Sequence, residues 1–134
     1  MDVAQTEKAL VDLFARDPHG AYAAYLFGSV ARGDATPQSD VDVAVLLERG
    51  RPTTLDDYPT ALQADLEAAL GRRVDLVVLD SAPPDLVHRV LRDGSIVCDR
   101  DRARRIAFEV RARNEYFDMK PVLDRYRQTV GRTR

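Results

Sequence analysis

The period of the apolar positions changes several times along the chain, and each change marks an element. Within residues 4–14, Leu10, Val11, Leu13 and Phe14 recur at helical spacing, which predicts an amphipathic helix. Asp17-Pro18-His19-Gly20 reads as a turn, and residues 21–27 as a short apolar strand. Gly28-Ser29 then turns the chain into a short helix around Val30-Ala31-Arg32, with loop over residues 33–39. Residues 40–48 alternate as a strand does: Val41, Val43, Val45 and Leu47 share one face, and Asp40, Asp42, Ala44 and Leu46 the other. Arg49-Gly50-Arg51-Pro52 breaks the pattern. Leu62, Leu66, Ala69 and Leu70 predict a second long helix, closed by Gly71. Residues 73–79 predict a third strand, apolar but for Asp75 after the opening arginine. Pro83-Pro84 opens a helix with Leu86, Val87, Val90 and Leu91 inward and Gly94 at its end, followed by a short strand over residues 95–98. From Asp101 a long helix follows, with Ile106, Val110 and Phe117 near one stripe and room to continue past Pro121. The expectation is one α/β domain over residues 1–134, a short sheet packed with helices.

Candidate chemistry sits where the first two strands meet the Gly-Ser turn. Asp40 and Asp42 are two apart on one strand, so both carboxylates point the same way. Like charges that close repel unless a cation lies between them. Oxygen ligands of this kind suit Mg²⁺, which takes one or two carboxylates and completes its shell with water and phosphate oxygens. Asp75 is the candidate third ligand, because a charge inside Val74-Asp75-Leu76-Val77-Val78 needs an explanation. Three such carboxylates can hold two metal ions about 3.5–4 Å apart, one on the attacking oxygen and one on the leaving group. Gly28 lets backbone approach a phosphate closely, and Ser29 offers a hydroxyl at the start of a helix, where free amides favour an anion. Arg32 is a candidate charge near the phosphates, and Gly33 a turn residue. Each piece alone has an ordinary structural reading: a helix cap, a solvated strand end, a surface charge. Together, at this spacing, they are what nucleotidyl transfer from a nucleoside triphosphate requires.

Composition narrows the setting. The chain has 134 residues, 45% hydrophobic and 31% charged, the balance of a soluble globular domain. No apolar run approaches a membrane span, and Asp2 and Glu7 near the start do not fit a secretory leader. The single cysteine, Cys98, lies in the apolar run Ile96-Val97-Cys98; it cannot form an internal disulfide and reads as a buried structural residue in a cytoplasmic protein. His19 and His88 lack metal-ligand spacing and read as structural or surface residues. The net charge of −2 hides an asymmetry: residues 1–99 hold 9 Lys/Arg against 17 Asp/Glu, and residues 100–134 hold 11 against 5. The basic tail is either a solvated helix face or a docking surface for an acidic partner or nucleic acid.

Gly28-Ser29-x10-Asp40-x-Asp42 with Asp75 resembles the nucleotidyltransferase superfamily that shares the polymerase β-type fold, and the small size resembles its minimal nucleotidyltransferases. The resemblance implies a short mixed sheet packed with helices and a long C-terminal helix. Gly71 to Leu79, Asp93-Gly94 and the tail Phe108 to Lys120 are similar to MntA-type antitoxins. That resemblance implies transfer of AMP from Mg-ATP onto a tyrosine of a HEPN-type ribonuclease toxin, HepT, which is thereby neutralised. Asp40, Asp42 and Asp75 would be the catalytic and metal-binding carboxylates, and Gly28, Ser29 and Arg32 the nucleotide-binding residues. The catalytic elements and core use most of these residues, which favours an acceptor that brings its own binding surface. The helix over residues 101–128 is then the candidate docking element, with Tyr116, Phe117 and Tyr126 as anchors. The alternative for that helix is packing on its own core. Two rival functions stand beside the adenylyltransferase antitoxin: a transferase for a small-molecule hydroxyl, and an antitoxin that acts by binding alone. No feature suggests a template-binding domain, so direct nucleic-acid binding is not expected.

Overall fold

The computed structural model describes residues 2–132, with side chains through residue 128. Four strands, β1 (Ala21–Phe27), β2 (Val41–Leu47), β3 (Val74–Val78) and β4 (Ser95–Asp99), form one mixed sheet in the order β3-β2-β1-β4. β1 runs antiparallel to both β2 and β4, whereas β2 and β3 are parallel. The helices are α1 (Val3–Arg16), α2 (Gly28–Arg32), α3 (Thr60–Leu70), α4 (Pro84–Asp93) and α5 (Arg102–Arg132).

The alternation in β2 sorts its side chains between two cores. Val41, Val43, Val45 and Leu47 pack with Leu10, Leu13 and Phe14 of α1 and with Leu62, Leu66 and Leu70 of α3. Ala44 and Leu46 pack on the other face with Val87 and Val90 of α4 and Ala112 of α5. Both faces are covered, which is why β1 is apolar throughout and buried at every position. Asp2 caps α1 by accepting the Gln5 amide at 2.8 Å, while the Gln5 side chain accepts the Asp2 amide at 2.9 Å. Gly71 ends α3 in the left-handed region, with φ of 63°.

The strand boundaries shift slightly from expectation: β2 starts at Val41, so Asp40 lies just before it, and β3 ends at Val78, where a single 3-10 turn over Leu79–Ser81 begins. Ala69, expected on the inner face of α3, is exposed. Cys98 is buried and free, as expected.

The largest difference lies in α5. The stripe of Ile106, Val110 and Phe117 points away from the body, with 41%, 47% and 62% of their surface exposed. The inward side instead carries Arg105, Phe108, Glu109 and Ala112. The Tyr25 hydroxyl donates to Glu109 Oε1 at 2.8 Å, and Arg105 joins Glu109 at 2.9 Å and Asp99 at 3.1 Å. Burial and the Glu109 bond push the Tyr25 phenol well above its ordinary pKa, so it stays a donor. Arg104 lies 4.2 Å from the centre of the Tyr22 ring and donates to the Glu48 carbonyl. Part of the tail's basic charge is thus consumed within the domain. The 31 residues of α5 span about 46 Å, roughly twice a seven-residue strand, and Arg127 in its second half lies 3.9 Å from Asp85 of α4. Among the described residues no helix is long and apolar enough to cross a membrane.

Candidate active site

The β1-α2 connection puts Gly28 against β2. Phe27, the last residue of β1, pairs with Asp42, and the next residue must turn out of the sheet. Gly28 does so with φ of 76°, and a Cβ there would stand 2.0 Å from Asp42 Oδ2. Only glycine satisfies both the dihedral and the space. α2 has no side-chain cap on its first amides, and the Ser29 hydroxyl makes no hydrogen bond among the described residues. The helix is five residues long, so its dipole is small; the open amides and the free hydroxyl are the useful groups. Replacing Ser29 by alanine should raise KM for the triphosphate about tenfold with the melting temperature unchanged, and an unaltered KM would remove Ser29 from the site.

Parallel pairing sets Asp75 of β3 directly beside Asp42 of β2, on the same face of the sheet. Burial raises the Asp42 carboxyl to about pH 6, helped by the charge of Asp75, a hydrogen bond between the two carboxyls and the charge of Asp40; Arg32 opposes the rise. Two carboxylates set side by side, one of them half-buried, are a donor set suited to a hard divalent cation, so these residues fit the magnesium that the sequence implies. Asp40 is exposed just ahead of the strand. Its loop is pinned by Arg72, which donates to the carbonyls of Thr36 and Ser39.

Asp42, Asp75, Gly28 and Arg32 line one cleft of about 300 Å³, so four of the six sequence-derived site residues meet there. Asp40 and Ser29 border the same elements without lining it. A larger cavity of about 580 Å³ lies at the opposite end of β1 and β2, beside His19, Glu48 and Tyr58, and contains none of the six. Donor chemistry, not volume, identifies the site.

Sequence reasoning missed the wall supplied by α4. Leu86, Arg89 and Asp93, at helical spacing, line the cleft. A surface arginine on a helix is too ordinary to stand out. The only signal was its period with Leu86, set by the inward Val87 and Val90. Asp93 stands out in the sequence only within Asp93-Gly94. Arg92 holds both of its oxygens at 2.9 Å, which keeps its carboxyl below the ordinary range. His88 stacks on Tyr116 at 3.7 Å, and His19 bonds Asp65 at 2.7 Å.

Residues 8–103 match the family of polymerase beta nucleotidyltransferases, which spans the sheet, the Gly-Ser turn and all three carboxylates. The protein adenylyltransferase MntA of Thermococcus cleftensis is 40% identical over 78 residues, 58% of this chain and 76% of that protein. A chain from a toxin–antitoxin crystal structure with AMP-PNP is 25% identical; the match covers 90% of this chain and 97% of that one, with a TM-score of 0.68. A structure of a tri-AMPylated Shewanella oneidensis HEPN toxin in complex with MNT antitoxin shares the fold at a TM-score of 0.63 and 23% identity, over 92% of this chain and 98% of that one. With the motif spacing, the mixed sheet and the paired carboxylates in register, the chain belongs to the polymerase β-type nucleotidyltransferases.

Proposed function

We propose that the protein is an adenylyltransferase antitoxin that transfers AMP from ATP to a tyrosine of a cognate HEPN-type toxin in the cytoplasm. The observation that carries the transferase chemistry is the convergence of Asp42 and Asp75 against Gly28. Gly28 and Ser29 receive the phosphates, and Arg32 adds charge on the same wall. The acceptor oxygen attacks the α-phosphorus in line, the bond to the bridging oxygen breaks, and pyrophosphate leaves. Asp75, exposed at the cleft, receives the acceptor's proton. Two magnesium ions bound by Asp42, Asp75 and Asp40 would neutralise the triphosphate and lower the pKa of a tyrosine from near 10.

The protein acceptor is supported by the named relative and by α5. Ile106, Val110, Phe117 and, further along, Tyr126 are exposed, while Tyr116 is half-buried on His88. Arg113 is exposed within that stripe, and Arg111 is exposed on another side of the helix, near Leu79 and Asp80. We assign the stripe to the toxin. Reversing both charges, Arg111→Glu with Arg113→Glu, should weaken partner association at least tenfold by titration calorimetry; unaltered affinity would place docking elsewhere.

ATP labelled at the α-phosphate should leave label on a cognate HEPN-type toxin, and ATP labelled at the γ-phosphate should not. Label from the γ position would mean phosphorylation. No label from either would favour inhibition by binding alone.

A further inference from the structure

Most arginines on the elements near the cleft, and others further away, are committed within the fold. Arg32 stands 3.4 Å from Asp34, Arg72 holds the loop before Asp40, and Arg92 grips Asp93 with two bonds. Arg105 is held between Asp99 and Glu109. Arg89 is different. It lies on the cleft wall, yet it has no hydrogen bond or ion pair among the described residues. The carboxylate in its field is Asp93, and Arg92 already occupies both oxygens of that group. Arg32 lines the same cleft as Arg89 and, like it, acts on Asp93, so the two cationic side chains border one cleft together with Gly28.

α4 fixes the backbone position of Arg89, whose side chain is exposed. Val87 and Val90, its neighbours on the helix, are buried under the sheet, and Gly94 closes the helix where a Cβ would stand 2.5 Å from the Val90 carbonyl. Leu86 and Arg89 therefore face the cleft in fixed register. A guanidinium offers five donors in a planar fork that matches phosphate oxygens. Aspartates 42, 75 and 93 make the remaining wall acidic, so an incoming polyphosphate has a cationic landing place only at Arg32 and Arg89.

We propose that Arg89 binds the β- and γ-phosphates of the nucleoside triphosphate and the pyrophosphate formed from them, with Arg32 as its companion. This rests on the transferase reading above. In it, Gly28 and Ser29 hold the phosphate next to the metal ligands, and Arg89 holds the end that leaves.

The test is calorimetric binding to the full chain in Mg²⁺, using a non-hydrolysable ATP analogue, inorganic pyrophosphate and AMP. Arg89→Met should weaken the analogue and pyrophosphate by about 10- to 100-fold while AMP affinity stays within twofold. Arg89→Lys should recover part of the loss, and the melting temperature should not move. Equal weakening of AMP and the analogue, or no weakening of either, overturns the assignment while leaving the transferase reading intact. Wild-type protein that binds none of the three overturns both.

Discussion

Asp42→Asn should abolish AMP transfer, by about 1000-fold or more, and at the same time make the metal-free protein more heat-stable at pH 8. The two effects share one cause. In the folded chain, burial and the neighbouring Asp75 raise the Asp42 carboxyl to about pH 6, from an ordinary value of 3.8. Between those values the folded state binds more protons than the unfolded state, so stability falls as pH rises. Above pH 6 the wild-type protein carries the full penalty of an ionised Asp42, and the amide does not. Because Asp42 is only half-buried, solvent screening reduces the difference to about 1 kcal/mol, a few degrees of melting temperature. Below pH 4 the advantage of the amide should vanish. Magnesium should raise the melting temperature of the wild type and leave Asp42→Asn unmoved. A variant less stable than wild type at pH 8 in chelator would contradict the strained carboxylate pair.

Gly28→Ala should be nearly as damaging, through geometry alone. The added carbon would stand 2.0 Å from Asp42 Oδ2 and 2.8 Å from its Cγ, with the backbone at φ of 76°. Either the turn or the carboxylate must move, and each carries part of the site. We expect a loss of transfer of about 100-fold or more and a destabilisation of about 1–3 kcal/mol. Gly33→Ala is the control. Its φ is 81°, but nothing lies within 4 Å of the added carbon. It should show the backbone strain, about 1 kcal/mol, and keep its turnover. Equal activity losses in the two variants would mean that the conformation of the turn, not contact with Asp42, is what matters.

The catalytic half of the molecule is legible in the sequence because its rules are local. Strict alternation in β2 separates Val41, Val43 and Val45 from Ala44 and Leu46, and the two cores follow that division. A lone charge in the apolar run of β3 marks Asp75, and parallel pairing brings it beside Asp42. The limits are equally physical. Asp40 falls before the strand, because β2 pairing begins at Val41 beside Val74. In α5, apolar spacing identifies a stripe at Ile106, Val110 and Phe117, but spacing does not say what covers it. The buried side is marked by Arg105 and Glu109, whose charges are satisfied by Tyr25 and Asp99 from other elements, a pairing that no local pattern reveals. Arg89 escapes for the opposite reason: among the described residues it has no hydrogen bond or ion pair, and no local pattern marks an unpaired arginine on a cleft wall.

The most direct measurement is the intact mass of the proposed partner, a cognate HEPN-type toxin, after incubation with Mg-ATP and this protein, set against the same reaction with Asp42→Asn. The account predicts one or more added AMP units, on tyrosine, with the wild type and an unmodified partner with the variant. An unmodified partner in both reactions, with the toxin nonetheless silenced, would contradict it.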